Sequence, residues 1–172
     1  MANIRIHLFL LAGTALIFLL LRIQGEALTV AGVSPRGILS LEFAKTSPEV
    51  THIISNWKEQ KLLHTAQNNI LLDFLFIPFY SLLFYSICGS ISVHLQGFAS
   101  KSGVFLAFGS FIAGWLDVFE NILMLFSVHQ VYTGFSALLT FIFAFSKFSL
   151  LALAFLYVLL FGMKLVITRK MM

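Results

Sequence analysis

The sequence has few charged residues, one cysteine and three prolines. Charged side chains make up 10% of the 172 residues, whereas a soluble globular domain carries about 25%. This scarcity excludes an ordinary soluble domain. Intrinsic disorder is also excluded, because disordered segments need low hydrophobicity and high net charge and 59% of this chain is apolar. The composition therefore predicts an integral membrane protein.

Cys88 is the only cysteine, which excludes an intrachain disulfide, a CxxC redox site and a cysteine-rich metal site. It lies in an apolar run and is expected to be a packing residue. The histidines near the long loop show neither i, i+4 pairing nor an HExxH motif, so we expect no metal: they are His52, His64 and His129. Walker A, GxSxG and Rossmann glycine patterns do not occur in the sequence, and we expect no cofactor.

Four apolar segments are long enough to cross a bilayer, because a spanning helix needs about 20 mostly apolar residues. They cover about residues 6–21, 70–93, 104–126 and 135–163. We predict an all-α fold in which four transmembrane helices form one membrane domain, residues 1–172. The first segment is longer than the apolar region of a signal peptide, and Arg22 precedes any suitable cleavage point, so we expect this helix to be retained.

The loop at about residues 24–69 is the only long polar segment. Residues 34–37 (SPRG) indicate a turn. Residues 47–49 (SPE) are typical of a helix start, with serine as the N-cap, proline in the first position and an acid in the first turn. Asn68 and Asn69 suggest a break before the second span. Apolar residues recur at helical spacing after residue 49: Val50, Ile53, Ile54 and Trp57. They predict a short amphipathic helix that lies on the bilayer or caps the bundle. Trp57 is expected at the membrane interface.

Basic residues predict the orientation. With four spans, both termini share a side with the short loop between the second and third helices. The bases on that side lie in short segments near helix ends, where they carry most weight in the positive-inside rule: they are Arg5, Lys101, Lys164, Arg169 and Lys170. We predict a multi-pass inner-membrane protein with both termini in the cytoplasm and the long loop in the periplasm. The bases are scattered, and this distribution argues against a nucleic-acid partner.

Four ionisable side chains interrupt the apolar segments, at Asp73, Asp117, Glu120 and Lys147. A charge inside a membrane costs about 2.5–3.5 kcal/mol on insertion scales, so such side chains usually face the bundle interior and find partners. With a helix rise of about 1.5 Å per residue, all four fall in the half of the bilayer nearer the long loop. Asp117 and Lys147 should be nearly level, about 13–18 Å deep.

The third helix is expected to be central, because one of its stripes combines small and polar residues: Ser110, Gly114, Asp117 and Asn121. On the second helix, Asp73 and Tyr80 share a face, so the Tyr80 hydroxyl could donate a hydrogen bond to Asp117 or Glu120. Pro78 is expected to free a backbone carbonyl and kink this helix, which would widen a cavity beside Asp73.

Two interpretations of these polar residues follow. In the structural one, Asp117 and Lys147 form an ion pair that holds two helices in register, and Glu120 and Asn121 satisfy neighbouring polar groups. In the functional one, three acids facing a single deep base leave an excess carboxyl, which takes up a proton or faces water or a ligand. We favour the functional interpretation. The rim of the candidate site is expected to include Arg22, Glu42 and Trp57.

Two segments of the chain, 73–80 (DFLFIPFY) and 117–121 (DVFEN), resemble those of small bacterial integral membrane proteins with four helices. Residues 37–42, with Trp57 further on, are also similar to the first loop of those proteins. The resemblance covers most of the chain. It implies a four-helix architecture and a bacterial inner membrane, and it implies no activity.

Three functions are compatible with the sequence. The first is binding of, or action on, a lipid or an amphipathic small molecule at the polar site. The second is a proton- or cation-coupled transporter subunit, because carboxyl relays in membranes commonly serve that role. The third is a structural or assembly factor that binds a membrane-protein partner through its long loop. Transport through only four helices would also need a homo-oligomer. We rank the first function ahead of the other two.

Overall fold

The computed structural model describes residues 4–163, and these residues form an all-α fold, as predicted. Four long helices are apolar enough to cross a membrane: α1 (Ile4–Gly25), α4 (Leu63–Ser92), α5 (Gly97–Val128) and α6 (Gly134–Tyr157). A turn of π-helix, Val158–Gly162, extends α6. Two short helices lie in the long loop, α2 (Ile38–Glu42) and α3 (Ser47–Glu59). The chain is therefore a multi-pass membrane protein.

Helix α5 is central, because it packs against both α4 and α6, whereas α1 packs mainly against α4. Small residues bring the helices close together. A Cβ added at Gly114 of α5 would lie 3.0 Å from Cβ of Ser81 on α4. On α1, Gly13 leaves room for the Phe79 ring of α4, because a Cβ there would overlap that ring.

Helix α4 begins two turns earlier than predicted, and Asn68 and Asn69 lie within it. The break expected at these two residues is therefore wrong. Asn69 is buried, and its Nδ2 donates hydrogen bonds to the Leu21 carbonyl (3.1 Å) and to Gln24 Oε1 (3.3 Å). The asparagine side chain thus joins α4 to the last turn of α1, and the extra turns of α4 reach the loop. The helix also continues through Pro78.

Helix α3 caps the loop-side end of the bundle, and the position expected for Trp57 at the membrane interface is wrong. Trp57 is fully buried in a core with residues of α4, α5 and α6, and its Nε1 donates to Ser34 Oγ (3.1 Å) and to the Leu28 carbonyl (3.3 Å). Thr46 is the N-cap instead of Ser47, and its hydroxyl accepts a hydrogen bond from the Glu49 amide (3.4 Å). The turn at residues 34–37 forms as predicted, with the Gly37 amide donating to the Ser34 carbonyl (2.9 Å).

Polar contacts tie α3 to the connection between α5 and α6. The Tyr132 hydroxyl donates to Thr51 Oγ1 (2.8 Å), and Lys58 Nζ donates to Gln130 Oε1 (3.1 Å). The long loop is thus folded over the helix ends. Lys164, Arg169 and Lys170, on which the predicted orientation partly depends, lie outside the described residues.

Candidate functional site

Lys147 of α6 is the centre of a buried polar cluster. Its Nζ lies 2.5 Å from Asp117 Oδ1 and 2.9 Å from Glu120 Oε2, both on α5. All three side chains are buried. The contact between Lys147 and Asp117 places them at the same depth, as predicted, about three to four helical turns from the loop-side ends of their helices. A buried ammonium between two carboxylates is compensated in charge, which is the condition for burying it at all.

Helix α4 contributes Tyr80 and Asp73 on the opposite flank of Asp117. The Tyr80 hydroxyl donates a hydrogen bond to Asp117 Oδ2 (2.7 Å), one of the two partners predicted for it. Asn121 Nδ2 donates to Asp73 Oδ2 (2.7 Å). Asp117 therefore has both oxygens occupied by donors, whereas Asp73 is only half-buried and has a single hydrogen-bond donor among residues 4–163.

Glu42, at the end of α2, belongs to this cluster rather than to its rim. Its side chain is buried, and Oε2 lies 3.6 Å from Lys147 Nζ. Burial raises the pKa of the Glu42 carboxyl above its ordinary value of 4.5; Lys147 opposes that rise, and the charge of Asp117 adds to it. Glu42 lies in the long loop and has no helical periodicity around it in the sequence. The depth and helical spacing of residues within the spans therefore could not predict that Glu42 joins this cluster.

Three carboxyl groups therefore share one ammonium with a fourth, Asp73, nearby, and several acceptor atoms lack a hydrogen bond. Within the described part of the chain, the buried oxygens without a hydrogen bond are Glu42 Oε2, both carboxyl oxygens of Glu120, and Asn121 Oδ1. Glu120 forms an ion pair with Lys147 and lies close to the Glu42 carboxyl. The donors present, from Tyr80, Asn121 and Lys147, are already engaged. The cluster thus has a surplus of both negative charge and acceptors.

A cavity of about 860 Å³ opens beside this cluster. Helices α4 and α5 form its back wall, and the last two turns of α1 and the middle of α6 flank it. Its polar lining includes Glu42, Asp73, Tyr80, Asp117, Asn121 and Lys147. Its apolar lining includes Phe18, Leu21, Phe76, Met124, Phe148 and Leu151. The cavity therefore combines a polar floor with apolar walls, as ligand sites commonly do.

The other predicted site residues lie in different parts of the structure, and not all of them line the cavity. Arg22 lines the cavity and is exposed, together with Arg36 from the loop, which sequence reasoning did not select. Glu120 touches Lys147 but is absent from the cavity lining. Trp57 does not line the cavity, because it is packed in the core beneath α3.

Comparison with known proteins identifies no relative: no family model, curated protein or solved structure matches the chain. The resemblance to small bacterial four-helix membrane proteins stays a prediction. The chemistry of the site consequently has to be derived from its own residues.

The arrangement suits recognition of a donor more than it suits metal binding or nucleophilic catalysis. Among residues 4–163 no group of three or more His, Cys, Asp or Glu side chains is placed to hold a metal ion, because the carboxylates converge on Lys147. Ser81 and Ser110 are buried on the helices that line the cavity, and the Ser110 hydroxyl donates to the Leu106 carbonyl of its own helix (2.8 Å). Besides Lys147 and Tyr80, which both donate to Asp117, the floor presents carboxylate and amide groups to the cavity.

Proposed function

We propose that this chain is an integral membrane protein whose cavity binds, or acts on, a lipid or another amphipathic small molecule. The observation that carries the proposal is the cavity of about 860 Å³ with a polar floor and apolar walls. A volume of this size is typical of sites for small molecules. An amphipathic ligand would place its polar group on the floor and its apolar part against the aromatic and aliphatic walls.

The position of the cavity supports access from the membrane. Phe18 on α1 and Phe148 on α6 both line it and are also exposed on the outside of the bundle, by 55% and 40%. Since α1 packs mainly on α4 and α6 packs mainly on α5, the cavity lies between α1 and α6. An apolar chain could therefore enter from the bilayer between these two helices.

The other half of the bundle supports a closed cavity rather than a channel through one copy of the chain. Cys88, Ile91, Leu106 and Tyr157 pack there in an apolar core. Ser92 lies in the same half, and its hydroxyl donates to the Gly89 carbonyl of its own helix (2.7 Å). A polar path to the far side would need unpaired polar groups in this core, and the residues that form it are apolar.

A second candidate is a proton- or cation-coupled transporter subunit, which the surplus of carboxyls around Lys147 favours. Its test is a flux measurement in proteoliposomes, with Asp117→Asn and Glu120→Gln compared with the unchanged protein. A proton or cation flux that both substitutions abolish would support transport. An equal flux in all three proteins would contradict it.

The proposal includes the setting of the protein. We place it in a bacterial inner membrane with both termini in the cytoplasm and the long loop in the periplasm. Lys101 lies near the start of α5, beside the short connection between α4 and α5 on the side of the termini, and the positive-inside rule favours the cytoplasm for this side. The cavity would then open toward the outer leaflet, beneath the loop.

The experiment compares two tryptophan substitutions on α6. Leu151→Trp fills the cavity that Leu151 lines, whereas Leu153→Trp is the matched control on the exposed face two residues away. Each protein is purified in a mild detergent, and native mass spectrometry measures the co-purified small molecules. We expect a bound species in the unchanged protein and in the Leu153→Trp control. Leu151→Trp should lack that species.

Two results would contradict the proposal. One is that the unchanged protein carries no bound amphiphile and takes none up from added lipid. The other is that Leu151→Trp retains as much bound amphiphile as Leu153→Trp, because binding would then lie on the general lipid-facing surface. Thermal unfolding of both variants checks that each remains folded.

A further inference from the structure

The hydrogen-bond donors and acceptors that line the cavity indicate which kind of polar group it can bind. Asn121 is fully buried and lines the cavity, and its Oδ1 has no hydrogen-bond donor among the described residues. Its Nδ2 is committed to Asp73 (2.7 Å), and a carboxylate only accepts, so Oδ1 is the atom left for a ligand. The half-buried carboxyl of Asp73 lines the same cavity.

These atoms all require donors from the ligand. A protonated primary amine supplies three N–H donors and no acceptor, and its positive charge offsets the surplus of carboxyls over Lys147. A phosphate or carboxylate beside Asp73 and Asn121 would meet a carboxylate and an unmatched acceptor, because the donors of Lys147 and Tyr80 are directed to Asp117. The floor is therefore complementary to an ammonium and opposed to an anion.

The exposed mouth of the cavity has a net positive charge, with Arg22 and Arg36 against Glu26. Arg22 and Arg36 both line it and are exposed, and neither forms an ion pair with any residue between 4 and 163. Asn69 is level with Leu21, since its amide donates to the Leu21 carbonyl (3.1 Å). Asp73 is four residues deeper on α4, so its carboxyl lies about 6 Å below the level of Arg22 along the bundle axis.

We infer that the cavity binds the headgroup of an aminophospholipid, with its primary ammonium on Asp73 and Asn121 and its phosphate at Arg22 and Arg36. Two carbons join the amine to the phosphate in a phosphoethanolamine group, which suits a separation of about one helical turn. Arginine favours the phosphate, because its planar guanidinium can bind two oxygens at once. The acyl chains would leave between α1 and α6. The inference rests on the proposed amphiphile site and names its headgroup.

The test uses three lipids of identical acyl chains added to the purified protein, with affinity measured by native mass spectrometry. Phosphatidylethanolamine has the N–H donors and the phosphate, phosphatidylcholine keeps both charges but has no N–H donor, and phosphatidylglycerol has no cation. We expect phosphatidylethanolamine to bind about ten-fold or more tighter than phosphatidylcholine, the effect of losing one charge-assisted hydrogen bond. Because these arms use the unchanged protein, their result does not depend on the folding of a variant.

Substitutions then locate the headgroup. Asp73→Asn should reduce the preference for phosphatidylethanolamine over phosphatidylcholine toward one, whereas Glu59→Gln, a change at an exposed loop acid outside the cavity, should leave it unchanged. The double change of Arg22 and Arg36 to glutamine should weaken both of these lipids by about ten-fold.

The outcomes separate the inference from the proposed function. If the three lipids bind equally and Leu151→Trp blocks their binding, the inference is overturned. The cavity would then be an amphiphile site without amine selectivity. A preference that Asp73→Asn does not change would also overturn it. Failure of every lipid to bind would overturn both the inference and the proposed function.

Discussion

Replacement of Lys147 by methionine tests whether the ammonium holds the cluster together. Methionine has a similar length and no charge, so the packing against α5 is largely kept while the ion pairs are lost. Asp117, Glu120 and Glu42 would then face one another with no cation among them, at positions that lie 2.5, 2.9 and 3.6 Å from Nζ in the present structure. Only the Tyr80 hydroxyl would remain as a donor to Asp117.

The expected cost is large, because removing one partner of a buried pair leaves an uncompensated charge and destabilises a protein by about 3–5 kcal/mol. For a chain of this length, each kcal/mol lowers the melting temperature by about 2–4 °C. Lys147→Met should therefore lower it by about 6–20 °C. The assay is thermal unfolding of the purified protein in one detergent, followed by circular dichroism.

Two further variants make the result interpretable. Lys58→Met removes an exposed lysine that hydrogen-bonds Gln130 and should change stability by no more than about 0.5 kcal/mol. Adding Glu120→Gln to Lys147→Met removes one of the unpaired charges and should restore part of the loss. A melting temperature for Lys147→Met equal to that of Lys58→Met would refute the view that the carboxylates depend on this cation.

Three smaller predictions concern the loop and the helix contacts. Burial raises the pKa of Glu42 above 4.5, so the stability that this carboxyl contributes is lost as the pH rises above that ordinary value. The stability of Glu42→Gln relative to the unchanged protein should therefore increase with pH in a thermal-unfolding series. Gly114→Leu would collide with Ser81, whose Cβ lies 3.0 Å from an added Cβ, and should cost about 1–3 kcal/mol in the same assay. Trp57→Phe removes donors to Ser34 Oγ and to a backbone carbonyl and should cost about 1–3 kcal/mol and speed proteolysis of the loop.

Matched controls exist for all three. Glu59→Gln changes an exposed loop acid, Gly89→Leu adds a side chain where nothing lies within 4 Å of the Cβ, and Trp115→Phe alters a tryptophan that is 54% exposed. A Glu42→Gln difference that stays constant with pH would contradict the raised pKa of Glu42. Equal losses for Gly114→Leu and Gly89→Leu, or for the two tryptophan variants, would show that the contacts described above contribute little.

The spanning helices could be predicted because the bilayer sets one requirement, a long apolar run, that can be seen directly in the sequence. The boundary of α4 could not. Its first two turns contain Asn68 and Asn69, and asparagine favours turns and helix caps because its side chain hydrogen-bonds to nearby backbone groups. Tertiary contact decides otherwise: Asn69 forms hydrogen bonds with the end of α1, and the helix continues to the loop.

The loop shows a second limit. The spacing of the apolar residues in α3 correctly predicted which face is buried, but the same spacing is expected for a helix on a bilayer and for one packed on protein. Trp57 is amphipathic and suits either setting. Its indole N–H finds Ser34, 23 residues away in the chain, and no local pattern predicts that pairing.

Depth and helical face identified Asp73, Asp117, Glu120 and Lys147, because a charge in an apolar helix has to be compensated. Glu42 could not be found in this way, since an acid in a polar loop is unremarkable in sequence. Its burial beside Lys147 arises from the fold of the loop over the bundle. Arg36 was missed for the same reason, as only the folded loop brings it to the cavity beside Arg22.

The structural and functional interpretations of the cluster apply to different residues. Asp117 has both oxygens occupied, by Lys147 and by Tyr80, and Glu120 is sealed against Lys147 away from the cavity. Both groups contact the ammonium of Lys147 inside the protein, so their removal should act on stability. Asp73 has one partner and an open side toward the cavity, and its removal should act on binding. The unequal burial of carboxyls that share one lysine thus divides a single polar cluster into a part that holds the helices and a part that is available to a ligand.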